Sequence, residues 1–260
     1  MFSKTLLPFL SIVVISCNAN VPATDADTGS RKKQATTESD NPYTIIASIP
    51  LPDGYKRIPS DSNSFATWLG NISLKKNKVV YLFTGDKKEN QDAQFAVLDI
   101  SIGNKDLQQC ADAIMRLRAE YLFDTKQFST ISFADNENTT YQFSLPYTKQ
   151  HLHDYLQRVF GMCGSASLSK QLHKKGINDI MPGDVFIRGG FPGHAEIVID
   201  VAVNDTTGKK IFLLAQSYMP AQDIHILVNP LNKNLSPWYE IEDDIITPEY
   251  AFDKNELKTW

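Results

Sequence analysis

The chain has 260 residues, 42% hydrophobic and 22% charged, with 26 Lys and Arg against 30 Asp and Glu for a formal net charge of -4. That composition supports one sizeable hydrophobic core, and a single domain is the expectation. No long basic run with interleaved aromatics occurs, which argues against nucleic acid as a partner.

Lys4 gives the N-terminus a positive start, and an apolar run over 6–15 is too short to span a bilayer comfortably. Val14-Ile15-Ser16-Cys17 ends it with small residues before a cysteine. This stretch resembles the lipobox of bacterial lipoproteins. The resemblance implies a signal peptide over 1–16, a lipid on Cys17, the membrane as a partner, and a location on the periplasmic side of the outer membrane. An ordinary signal peptide containing a cysteine is the alternative. Residues 17–41 are rich in Ser, Thr, Asp, Lys and Ala without apolar period, the pattern of a disordered tether, which leaves 42–260 as the folded domain.

In chain order, Ser62-Asn63-Ser64 predicts an N-cap for a short helix through Phe65, Trp68 and Leu69. Residues 78–84 are β-rich, 94–102 alternate, and the two predict a hairpin. Leu107, Cys110, Ala111, Ile114, Leu117, Arg118, Tyr121 and Leu122 then fall at helical spacings, with Asn104 or Asp106 as cap. If Gln108 or Gln109 starts the helix, the Cys110 thiol sits at its positive end, which favours a thiolate.

Short strands follow at 128–133 and 140–143, an amphipathic helix at 150–160, and a further helix from 163 to about 174. In Pro182-Gly183-Asp184 a tight turn leads to an apolar run over 185–187. Gly189-Gly190-Phe191-Pro192-Gly193 then delivers His194 to the start of a strand on which His194, Glu196, Val198 and Asp200 share one face. The turn at 204–208 returns the chain through 211–218, 224–228 predicts a last strand, and the tail from 229 reads as irregular. Helices first and an antiparallel sheet afterwards make an α+β domain.

A cysteine at a helix start, a later histidine leading a strand and a polar side chain on the next strand are the parts, in the order, of a papain-like cysteine hydrolase site. Here they are Cys110 as nucleophile, His194 as base and Gln216 as orienter, with Ser217 and Asp200 as weaker third members. The Cys110 amide and the Gln109 side chain are candidates for the oxyanion. Competing readings stand beside each. Cys110 can equally be a core filler, Cys163 is a rival nucleophile, and the two can pair as a disulfide in an oxidising compartment. His151, His153 and His225 read as ordinary, Asp112 and Glu120 as helix-surface charges, and no spacing suggests a metal site or another cofactor.

The segments 106–122 (DLQQCADAIMRLRAEYL), 182–200 (PGDVFIRGGFPGHAEIVID), 212–227 (FLLAQSYMPAQDIHIL) and 54–69 (GYKRIPSDSNSFATWL) resemble the bacterial lipoprotein family of domain of unknown function 4846. More distantly, Cys110, Pro182-Gly183-Asp184 and His194 are similar to NlpC-class cell-wall cysteine peptidases and their CHAP amidase relatives. That likeness implies an NlpC-type papain-like fold and a cell-wall peptide substrate. The chain departs from it in having Gln109 before the cysteine and Ala111-Asp112 after it, where those enzymes carry Asp and Ser-Gly. A non-catalytic envelope binding or scaffolding lipoprotein is the alternative function.

Overall fold

The computed structural model describes residues 40–260, so the signal peptide, Cys17 and nearly all of the tether lie outside the described residues. The order is β1 (Tyr55–Arg57), α1 (Phe65–Gly70), β2 (Gln94–Val97), α2 (Cys110–Asp124), β3 (Ser132–Ala134), β4 (Thr140–Gln142), α3 (Lys149–Met162), α4 (Ser165–Gln171) and β5 (His173–Lys174). Then come β6 (Val185–Arg188), β7 (His194–Asn204), β8 (Lys210–Gln216), β9 (His225–Leu227), β10 (Tyr239–Glu240), β11 (Asp244–Ile246), β12 (Ala251–Asp253) and β13 (Leu257–Thr259). The domain is α+β, with four helices and a large antiparallel sheet.

Local chemistry sets the helix starts. Ser64 accepts from Thr67 N at 3.2 Å to cap α1, and Thr148 accepts from His151 N at 3.2 Å to cap α3. At α2 the expected caps Asn104 and Asp106 give way to Gln109, whose N–H donates to Asp112 Oδ2 at 3.0 Å. The sheet runs β2-β9-β8-β7-β6-β13-β5, with β1 also on β7 and β10 on β8. Its spine is the β7–β8 hairpin, turned where Asn204 Oδ1 accepts from Thr206 N and Thr207 N and Gly208 takes φ +70.

Alternation along the spine produces two apolar faces. Ala195, Ile197, Leu213 and Ala215 join the core under the helices with Ala111, Ile114 and Leu117 of α2. Val198, Phe212 and Leu214 face the other way, onto Tyr239, Ile245, Phe252 and Leu257. Burying each such large side chain is worth about 2–3 kcal/mol, so the chain from Tyr239 onward is a working layer of the fold.

Three local expectations are corrected. Residues 78–84 form isolated bridges, such as Leu82 with Gln222, in place of a strand, and β2 pairs with β9, so the early hairpin does not form. Tyr81 N is drawn to Asp223 Oδ2 at 3.0 Å, which commits that segment to the loop before β9. The tail is not irregular: it contributes β10 to β13, whose runs of two and three residues are too short to show a period. Finally, a bulge between Val198 and Asp200 shifts the alternation. Val201 rejoins the face of Val198, while Asp200 pairs with Arg57 Nε at 2.8 Å and leaves the face of His194.

Candidate active site

Cys110 is the first residue of the 15-residue helix α2, where backbone N–H groups lack partners within the helix and the macrodipole is positive. The loop before it is tied to the β8–β9 connection. Ala221 N donates to Asp106 Oδ1 at 2.7 Å, and the Ser217 hydroxyl lies 3.0 Å from the carbonyl oxygen of Gln108. These ties fix the start of α2 against the end of the sheet where β7 begins and β8 ends. Ser217 is therefore a brace for the cysteine loop and no third member of the site.

His194 is 2% exposed. Its ring packs at 4.7 Å from that of Tyr218 and 4.8 Å from that of Tyr250, and it lines the same cleft as Cys110. Burial alone would pull the imidazole below its usual range. Hydrogen bonds and charge from Cys110 and Glu196 outweigh that and push it up to about 10, so the ring carries its proton at neutral pH.

Gln216 sits opposite, with Oε1 2.7 Å from His194 Nε2. Which way that amide points is decided one layer further out. Gln216 Nε2 donates to Glu249 Oε2 at 2.7 Å, and Lys88 holds the same carboxylate. A carboxylate only accepts, so the amide nitrogen must face Glu249 and its oxygen must face His194. Nε2 of His194 then carries a hydrogen, and Nδ1 is the nitrogen left for the sulfur. His225, buried beside Gln216, donates from Nδ1 to the carbonyl of Asp223 at 2.9 Å. Burial and then the charge of Lys88 pull it to about 4, keeping it neutral.

The structure thus brings Cys110, His194 and Gln216 together. Gln109 is beside them, but its side-chain nitrogen donates to Asp106 Oδ1 at 3.1 Å and is already engaged. Cys163 lines the same cleft as a free thiol. Burial, then the charges of Asp135 and Asp112, push it up to about 11, which makes it a poor nucleophile at neutral pH. Asp112 is not a surface charge: it is 6% exposed, and its Oδ1 has no partner among the described residues. Glu120 pairs with Arg116 on α2, and His151 and His153 lie on α3 away from the cysteine cleft.

Four contributors escaped the sequence reading. Glu196 is fully buried, with Oε1 3.6 Å from His194 Nε2 and 2.8 Å from the donating Thr247 hydroxyl. Burial raises its carboxyl, against the pull of His194 and Thr247. Glu249 and Tyr250 come, like Thr247, from the β11–β12 connection, which the sequence marked as tail. Only Glu196 had a readable signal, its place two residues after His194 on the same face.

The cleft holding Cys110 and His194 has a volume of about 560 Å³ and runs on past Asp112, Cys163 and Ser165. Its wall at Gly193 has no spare room. A Cβ there would come within 2.3 Å of Ser165 Oγ, 2.6 Å of the Gly190 carbonyl and 2.8 Å of the Arg188 carbonyl. Two of these are backbone atoms that cannot swing aside. Gly193→Ala is expected to cost about 1–3 kcal/mol and to displace His194. Urea denaturation with iodoacetamide labelling of Cys110 checks this; wild-type values for both would show the loop to be compliant. Among the described residues no group of three or more His, Cys, Asp or Glu is placed to hold a metal ion.

Comparison with known proteins gives a match to the family model Domain of unknown function (4846), over residues 45–147 and 135–259. No curated protein and no solved structure matches the chain significantly.

Proposed function

The chain belongs to the family of domain of unknown function 4846, a description without an activity, and from the site itself we propose that it is a cysteine hydrolase of papain-like architecture. In this reading it is a lipoprotein held to the envelope through Cys17, on the periplasmic side of the outer membrane, and it cleaves an amide bond in cell-wall peptide. One observation carries the chemistry: a helix-start cysteine shares one cleft with a histidine whose far nitrogen is held by Gln216.

The steps follow from that arrangement. The Cys110 sulfur attacks the amide carbon, and the carbonyl oxygen takes the negative charge against the Cys110 N–H at the head of α2. His194 gives its proton to the leaving nitrogen as the C–N bond breaks, leaving a thioester. Water then attacks the thioester carbon while His194 takes its proton, the C–S bond breaks, and the acid leaves with the sulfur and the His194 ring as they began. Gln216, oriented by Glu249, keeps the ring in the tautomer both steps use.

The test is chemical. Iodoacetamide on the folded full-length protein is expected to alkylate Cys110 at neutral pH, and at least ten times more slowly in His194→Ala. Equal rates in the two chains would remove the dyad and leave a binding lipoprotein, the reading to which Gln109 and Ala111 around the cysteine are better suited.

A further inference from the structure

Six large hydrophobic side chains are exposed among the described residues: Leu145, Tyr147, Met162, Phe191, Met219 and Leu231. Three of them, Met162 at 52%, Phe191 at 95% and Met219 at 67%, border the cleft that holds Cys110 and His194. They arrive from separate parts of the chain: the end of α3, the loop before β7 and the loop after β8. Scattered exposed hydrophobics are ordinary, but convergence of distant ones on a single cleft marks a contact surface.

Charge on the cleft wall points the same way. Among the described residues no Lys or Arg lines the cleft. Its carboxylates are Asp106, already accepting from Ala221 N and Gln109 Nε2, and the buried Asp112. Lys170 stands behind Asn136 at the margin, donating to that residue's carbonyl at 3.3 Å. A substrate carboxylate entering here would lose its water and meet no cation except the His194 ring, already engaged by Gln216, and it would face the carboxylate of Asp106.

Resting on the hydrolase reading above, we infer that the site selects peptides with a bulky apolar side chain, and no carboxylate, beside the scissile amide. The rim of Met162, Phe191 and Met219 covers that side chain, and the two methionines adapt to its shape. Within cell-wall peptide this confines cleavage to an uncharged stretch.

The experiment compares acyloxymethyl ketone probes carrying Leu, Lys or Asp next to the reactive carbon, with labelling of Cys110 in the full-length protein followed by mass spectrometry. The Leu probe is expected to react at least ten times faster than the Asp probe, and Phe191→Ser is expected to bring that ratio down severalfold. An Asp rate equal to the Leu rate, a ratio unmoved in Phe191→Ser, or a Lys probe faster than Leu would each overturn the inference. So would a drop in cosedimentation of Phe191→Ser with phosphatidylcholine vesicles while the Leu preference survives, because the rim would then serve a membrane. Failure of the hydrolase reading is distinct: iodoacetamide labelling of wild type and His194→Ala would then be equal, whatever the probes do.

Discussion

Replacing Cys110 by alanine is expected to lower kcat/KM on a Leu-bearing fluorogenic peptide amide by at least about a thousandfold. Without the sulfur no thioester forms, and only the head of α2 and the substrate contacts remain. The side chain is small and partly exposed, so the fold should persist, with a stability change of about 1 kcal/mol at neutral pH. A second readout separates loss of chemistry from loss of structure. His194 is held up to about 10 from an ordinary value near 6.5. A group raised on folding contributes stability that is fully present below its unfolded value and is lost as pH rises through its folded one. Wild type is therefore expected to lose this contribution between about pH 6.5 and 10. In Cys110→Ala the loss is smaller, since only Glu196 then supports the charged ring. Retention of activity within tenfold of wild type would refute Cys110 as the nucleophile.

Asp112→Asn is expected to change stability in a different window. Burial raises the Asp112 carboxyl to about 8, opposed only by the N–H of Gln109. An acid raised in this way makes the folded state bind its proton more tightly than the unfolded state does, so stability falls as pH climbs from about 3.8 to about 8. Asparagine keeps an oxygen for Gln109 N and cannot ionise, although its NH₂ must lie where Oδ1 now has no partner. Urea denaturation at pH 4.5 and 8.5 is expected to show the wild type weakening by on the order of a few kcal/mol relative to the variant. Parallel pH dependence in the two chains would mean that Asp112 does not titrate in this range.

The site was legible to different depths. Cys110, His194 and Gln216 each sat at a place with a local signature: a helix start, a glycine-flanked strand start and a returning strand in register. Glu249 and Thr247 carried no such signature, because their role depends on a hairpin folding back over the sheet from 50 residues beyond His194. Asp200 was misplaced by a single bulge, since one extra residue reverses every side chain after it. Asp112 was misread because a charge at the third position of a helix looks solvated, and nothing local to it reveals the packing that leaves it 6% exposed.

From sequence alone came the α+β class, four helices and the run of strands after them, and Cys110, His194 and Gln216 as candidates, the first two of which line the cleft while the third is bonded to His194. Those follow from apolar period, turn residues and caps, all of them local. Tertiary structure alone decided which strands join the β7–β8 hairpin on either side, which carboxylates are buried, and that the Gln216 amide turns its oxygen to His194. These depend on contacts between segments far apart in the chain, where the free energy of burying one charge or satisfying one acceptor outweighs any local preference.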